Sequence, residues 1–319
     1  MTLGALPANC LGRGRSIEGV DVSGIREWFR INQRDLPWRE PQTTPWAILV
    51  SEVMLQQTPV ARVIPAWTAW LDRWPDAHAL AKAPLGDVLQ QWGKLGYPRR
   101  ARNLHLTAQE VSSRWSGMVP ESVEDLLTLP GIGDYTARAI ACFAYGHPHP
   151  VVDTNVKRVV ARAVDGDAAA GHWTMREAMA RVDSAMDTPL SDEDYCLSQK
   201  ALMELGAVVC TARSPRCDEC PLISECAWRA SGFPVDPSVL PRTQARYEGS
   251  DRQVRGLILE LLRGTPGSRP QSEIDALWSQ PAQRERALRS LESDGLIVES
   301  EVSGELHYSL SWSEPYPGE

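Results

Sequence analysis

Four thiols fall within seventeen residues of this 319-residue chain, at Cys210, Cys217, Cys220 and Cys226, in a C-x6-C-x2-C-x5-C run. A structural zinc site usually shows two C-x2-C knuckles parted by a longer spacer, and this run has only one. A cuboidal 4Fe–4S cluster needs thiolates approaching four corners from different directions, which unequal gaps in a compact loop supply. The spacing favours iron–sulfur, with zinc as the alternative. The other cysteines, Cys10, Cys142 and Cys196, are scattered, and they read as small buried apolar residues or surface thiols.

Two carboxylates stand in contexts that could support acid–base work. Glu52 lies in "WAILVSEVMLQQ", where Trp46, Ile48, Leu49, Val50, Val53, Met54 and Leu55 make a helix apolar almost all round. Such a helix is buried, and burial disfavours the ionised carboxylate. Gln56 and Gln57 continue a polar seam from it; a buried Glu paired with an Arg is the bland alternative. Asp153 opens "DTNVKRVVARAV", an ordinary N-cap position that capping alone would explain.

Two further stretches suit a polyanion. In "LPGIGDYTARAIACFA", Gly131 and Gly133 allow a tight turn that aims amide N–H groups outward at a helix start. A plain helix–helix connector has the same composition. In "WGKLGYPRRARNLH", Leu95, Gly96 and Tyr97 precede Arg99, Arg100 and Arg102, a pattern suited to insertion into a duplex with phosphates clamped alongside. A solvated helix start is the rival there.

The elements that must position these groups are helical. From about residue 22 to 230 apolar residues recur at helical spacing in about ten short segments, with no period-two alternation and no fixed repeat. Residues 1–21 lack a continuous apolar run and read as a disordered leader. A Pro-punctuated polar stretch, 233–250, reads as a linker. Beyond it, residues 251–319 read as three helices and a two-strand hairpin turning near "VSGE", a winged-helix-like module. Either it contacts DNA or a partner, or it is a cap without a ligand.

Composition is ordinary, with 43% apolar and 23% charged residues, and no run is long enough to span a bilayer. A monomer in a cytoplasmic, nucleoid-associated setting is expected, with reduced thiols free to bind metal. The net charge of −8 says little about nucleic acid, because residues 236–319 hold 9 Arg, no Lys and 14 Asp or Glu, leaving the remainder close to balance.

Together, "LPGIGDYTA", "VDTNV" and the cysteine run resemble the endonuclease III superfamily of helix–hairpin–helix DNA glycosylases. "LPWRE", "SEVMLQQT" and "WGKLGYPRRARNLH" resemble its adenine glycosylase (MutY type) branch. The resemblance covers roughly residues 22–230. It implies an all-α fold with a six-helix barrel domain (44–150), an iron–sulfur cluster domain (22–43 with 151–232) and an active site in the cleft between them. It implies a 4Fe–4S cofactor on Cys210, Cys217, Cys220 and Cys226, with the cluster holding Arg213 and Arg216 against phosphate. The substrate implied is double-stranded DNA carrying adenine opposite 8-oxoguanine or guanine, with no membrane partner.

Residue by residue, Glu52 matches the family's acid/base and Asp153 its transition-state stabiliser, while Asn155 matches a residue that positions them. Tyr135 matches the place of a sugar-attacking lysine in bifunctional relatives, which implies a monofunctional enzyme. Tyr97 and Leu95 match the wedge near the opposite base and Gln57 the intrahelical gap, while Gly96 and Arg99 of the same stretch are further DNA-binding candidates. Trp38 and Arg39 match the adenine pocket, Gly131 and Gly133 the hairpin, and Lys157 a DNA contact. Members commonly continue into a β-rich Nudix-like domain, which the tail here does not resemble, and "DTNV" replaces the more usual "DGNV". A T/U:G mismatch glycosylase of the same superfamily is the alternative.

Overall fold

A computed structural model describes residues 22–171, 173–186, 190–234, 246–264 and 267–311. The expected leader and most of the expected linker lie outside the described residues. Numbered along the chain, the helices are α1 (Val22–Asn32), α2 (Pro45–Leu55), α3 (Val60–Arg73), α4 (Ala77–Ala81), α5 (Leu85–Trp92), α6 (Arg99–Arg114), α7 (Val123–Leu126) and α8 (Asp134–Tyr145). They continue with α9 (Thr154–Val160), α10 (Met175–Ala185), α11 (Asp192–Val208), α12 (Ala227–Ala230), α13 (Asp251–Arg263), α14 (Gln271–Leu277) and α15 (Pro281–Ser293). Three short strands lie in the tail: β1 (Arg269–Pro270), β2 (Ile297–Val302) and β3 (Glu305–Leu310).

Local chemistry sets the boundaries. Thr44 caps α2 by accepting the Ala47 N–H at 3.2 Å, with Pro45 in the first turn. The apolar run suggests that α2 continues through "QQT", but it stops at Leu55. Gln57 takes a left-handed φ of 55°, and Thr58 precedes Pro59, whose ring excludes helical backbone at residue 58. Thr174 and Glu177 form a reciprocal capping box at α10.

The described residues divide into two compact units. One holds residues 22–33 and 150–234. Its core is built by Ile25 and Phe29 of α1, Val156 and Val159 of α9, Val182 of α10, and Leu202 and Leu205 of α11. The other holds residues 34–149 and 246–311. There α2 packs against α3, α6 and α8, while α6 packs against α4 and α5. Trp70 is fully buried, edge-to-face with Trp74 at 4.8 Å and with Trp92 at 5.6 Å. Residues 34–43, expected on the cluster side, group with this second unit, where Trp38 meets Trp67 edge-to-face at 5.9 Å.

The tail also groups with the second unit. Its three helices pack on a sheet of order β1-β3-β2, one strand more than the expected hairpin. Ser303 and Gly304, at φ 53° and 82°, form the tight β2–β3 turn that suits the right-handed twist of a hairpin. Val254, Ile258, Leu262, Leu291 and Leu310 belong to the same apolar cluster as Trp92, Leu95 and Leu104 of the barrel helices. The module therefore shares a core with those helices. Leu262→Ala is expected to cost about 2–5 kcal/mol and to lower a single unfolding transition reported by both tail and barrel tryptophans in denaturant titration. Two separate transitions, with only the tail shifted, would contradict the shared core.

Candidate functional site

The thiols of Cys210, Cys217, Cys220 and Cys226 line one pocket together with Arg162, Val209, Pro215, Ile223, Trp228 and Arg229. The loop leaves the C-terminal end of α11 and closes on itself. The Cys220 N–H donates to the Cys217 carbonyl at 3.1 Å, and the Cys226 N–H to the Leu222 carbonyl at 3.0 Å. Burial first, and the neighbouring Cys210, Cys226 and Cys217 after it, push the Cys220 thiol up to about 11. Burial, then Cys210 and Cys226, raise Cys217. Four thiolates so crowded need a compensating cationic centre. Four cysteines lining one pocket fit the thiolate donor set of an iron–sulfur cluster.

Arg162, not anticipated from sequence, is 4% exposed against this loop. Its guanidinium donates to the Cys210 sulfur at 3.4 Å and to the carbonyls of Thr211 at 2.8 Å and Ala212 at 3.2 Å. It also lies 4.3 Å over the Trp228 ring. Arg216 of the cysteine loop donates to the Val208 carbonyl and pairs with Glu219 at 2.7 Å.

Asp153 is the N-cap of α9. Its Oδ1 accepts the backbone N–H groups of Asn155 (2.8 Å) and Val156 (2.7 Å), and its Oδ2 accepts the Asn155 side-chain amide at 2.7 Å. Asn155 in turn accepts from Arg158 at 2.8 Å. Arg158 also donates to the carbonyls of Gly206 and Cys210, both at 2.7 Å. Burial lowers the Arg158 pKa, opposed by the Cys210 thiolate. The capping that could have made Asp153 uninteresting thus sits at one end of a hydrogen-bond chain running to the first cluster ligand. Lys157, one helical turn along, reaches the Trp173 carbonyl at 3.5 Å.

In the second unit, Glu52 is 7% exposed in α2. Just beyond the helix, the Gln56 amide donates to the Thr136 hydroxyl of α8 at 3.2 Å, and Gln57 occupies the turn. The Lys94–Tyr97 turn runs alongside. Gly96 and Tyr97 have positive φ of 83° and 49°, and the Tyr97 side chain is 43% exposed. Leu95, expected beside Tyr97 in the wedge, is instead 6% exposed, and its side chain is committed to the core.

Arg100 ties these two turns together. Its guanidinium donates to the carbonyls of Val53 and Met54 (both 2.9 Å), Gln56 (2.6 Å) and Gly96 (3.1 Å), and to the Thr58 hydroxyl at 2.9 Å. Burial lowers its pKa to about 10, yet it stays cationic at neutral pH. In the sequence it is one of three arginines in "RRAR", and helical phase separates it from its neighbours. Arg100 lies on the face of α6 that buries Leu104, Thr107, Ala108 and Val111, whereas Arg99 is exposed and pairs with Asp294 at 3.5 Å.

The Gly131–Gly133 turn precedes α8. A Cβ at Gly131, where φ is 79°, would come within 2.7 Å of the Asn103 side chain, so this position requires glycine. Leu129 and Ile132 are buried beneath it, and Gly133 starts α8 with open space around it. Tyr135 lies in the first turn of α8, Trp38 is half-buried against Trp67, and Arg39 donates to the Arg34 carbonyl at 3.0 Å.

Residues 50–182 match the family described as "HhH-GPD superfamily base excision DNA repair protein", and residues 210–226 match the "Iron-sulfur binding domain of endonuclease III". The chain is 53% identical over 277 residues to the adenine DNA glycosylase of Mycolicibacterium smegmatis, covering 86% of this chain and 92% of that one. It is 40% identical over 213 residues to the human adenine DNA glycosylase, covering 64% of this chain and 38% of that one. A thermostable thymine-DNA glycosylase structure superposes with a TM-score of 0.57 at 26% identity, covering 66% of this chain and 95% of that one. Endonuclease III in a trapped covalent DNA complex superposes with a TM-score of 0.56 at 22% identity, over 67% and 95%, a likeness of fold.

Two variants probe this geometry. Arg100→Met leaves several buried carbonyls without a donor and is expected to cost about 3 kcal/mol in chemical denaturation; a loss within about 0.5 kcal/mol would remove its tying role. Cys220→Ser is expected to abolish bound iron and the brown colour and to expose residues 210–226 to protease. Retained iron at full stoichiometry would show that Cys220 is not a ligand.

Proposed function

Since the chain belongs to the adenine DNA glycosylase branch of the helix–hairpin–helix base-excision-repair superfamily and hydrolyses N-glycosidic bonds, we propose that its substrate is adenine opposite 8-oxoguanine or guanine in duplex DNA. The chain carries a 4Fe–4S cluster. The observation that carries the proposal is the Glu52 carboxyl, 7% exposed in α2, the helix whose end Arg100 ties to the Lys94–Tyr97 turn.

An adenine inside a duplex is out of reach, so it must be extruded, at a cost of a few kcal/mol that a mispair reduces. Tyr97 is the exposed aromatic side chain of the Lys94–Tyr97 turn and suits the wedge role, with Gln57 filling the vacated stack and Arg99 near phosphate. The amides around Gly131 and Gly133 suit a phosphate at the start of α8, and Lys157 supplies a further cation. Trp38 and Arg39 flank the extruded base. Glu52, in its protonated form, donates a proton to N7 and turns adenine into a good leaving group, an effect typically worth about 10²–10⁴-fold. Asp153, oriented by Asn155, faces the positive charge that develops on the sugar. Water completes the hydrolysis. Tyr135 stands where an amine would be needed for a Schiff base, so strand cleavage is not coupled to base release. The cluster, when bound, supplies an electrostatic and structural anchor for residues 210–226 and no redox step.

The T/U:G reading draws support from the likeness to the thymine-DNA glycosylase, which covers 66% of this chain. Single-turnover assays on A:8-oxoguanine, A:G, T:G and U:G duplexes separate the two. Release from the adenine duplexes alone is expected, and release from T:G but not A:G would reverse the assignment. Glu52→Gln is expected to lower the rate at least ~10²-fold with duplex binding retained; an unchanged rate would remove Glu52 from the mechanism. For the wild type the rate is expected to decline as pH rises through the pKa of the donating acid.

A further inference from the structure

The winged-helix-like tail offers little to DNA by its charge. All three arginines of α15, the helix that such a fold would present to a groove, are paired with acids of the same module. Arg284 meets Asp275 at 2.9 Å, Arg286 meets Asp251 at 3.1 Å and Arg289 meets Glu285 at 3.4 Å. The contacts that leave the module converge on one place, the two flanks of the turn that carries Tyr97. On the near flank, Arg263 donates to the Leu89 carbonyl at 3.0 Å, and Glu260 accepts from Lys94 at 2.5 Å. On the far flank, Asp294, itself held by Arg255 at 2.5 Å, pairs with Arg99 at 3.5 Å. Gly295, with φ at 64°, lies so close to α6 that a Cβ there would come within 2.8 Å of the Arg102 side chain. Beneath these ties the module and barrel share one apolar cluster, and β3 packs on α5.

We propose that the C-terminal module is a positioning brace for the Lys94–Tyr97 turn and not a second DNA-reading surface. The turn needs holding. Gly93, Gly96 and Tyr97 all have positive φ, at 53°, 83° and 49°, and a tyrosine in that region is strained. From the barrel side its backbone is held by Arg100 and Trp92 on the Gly96 carbonyl, by Arg62 on the Lys94 carbonyl and by Thr58 on the Leu95 carbonyl. The module closes the open side by fixing the chain before and after the turn. Its acid surplus also finds a use here, because Glu260 and Asp294 sit on the two cations that flank the wedge. Small displacements of a positioning group carry large rate penalties, so the brace acts on base extrusion with no contact to the substrate of its own.

This inference rests on Tyr97 acting as the wedge, and the test separates the two. Base extrusion is followed by the fluorescence of 2-aminopurine placed beside the target adenine, together with single-turnover release and affinity for an undamaged duplex. In the full holoenzyme, Glu260→Gln with Asp294→Asn is expected to lower extrusion and release about tenfold while duplex affinity holds or rises. The charge exchange Lys94→Glu with Glu260→Lys is expected to recover extrusion relative to Lys94→Glu alone. Arg284→Gln with Arg289→Gln is expected to leave all three readouts unchanged. Extrusion within about twofold of wild type in the Glu260/Asp294 variant would overturn the brace, as would lost duplex affinity in the Arg284/Arg289 variant. Tyr97→Ser is the separating control. If it leaves extrusion intact the wedge reading fails; if it abolishes extrusion while the Glu260/Asp294 variant does not, the brace alone fails.

Discussion

Burying Glu52 in α2 is the constraint around which the barrel unit is arranged. Glu52 is 7% exposed, and burial disfavours a charged carboxyl, so on the proposed mechanism the helix that carries it must be held in place. That demands a helix fixed at both ends. Thr44 and Pro45 fix the start, and Arg100 fixes the finish by collecting the carbonyls of Val53, Met54 and Gln56. The same guanidinium holds the Gly96 carbonyl, so the rigidity required by the acid is passed to the turn that carries Tyr97.

Asp153 occupies the contrasting environment. Its oxygens receive two backbone N–H groups and an amide, and Asn155 and Arg158 extend that network to the Gly206 and Cys210 carbonyls. A buried carboxyl in one helix and a donor-ringed one capping another can, on the proposed mechanism, divide the two roles. The thiolate loop contributes by anchoring the Arg158 and Arg162 side chains, whose donors end on its carbonyls and on the Cys210 sulfur.

Much of this was legible in the residues. The cysteine gaps, the apolar surround of Glu52 and the paired glycines each announce a local physical requirement that the folded chain meets. The Leu95 and Arg100 side chains were harder to read, because "KLGYPRRAR" does not say which side chain faces inward. Phase along α6 settles Arg100, but Leu95 precedes that helix, and only the packed core shows it turned inside. Arg158 and Arg162 were missed because surface and buried arginines look alike in sequence; their partners are carbonyls brought from about 50 residues away. The tail's acidity likewise had no meaning until Glu260 and Asp294 met Lys94 and Arg99.

Everything turns on the protonation state of one side chain, and infrared difference spectroscopy of the holoenzyme at neutral pH reads it directly. The wild-type protein should show a carbonyl stretch of a protonated carboxyl that is missing from Glu52→Gln. A carboxylate signature assigned to Glu52 under those conditions, with no protonated band lost in the variant, would contradict the proton donor at the centre of the mechanism.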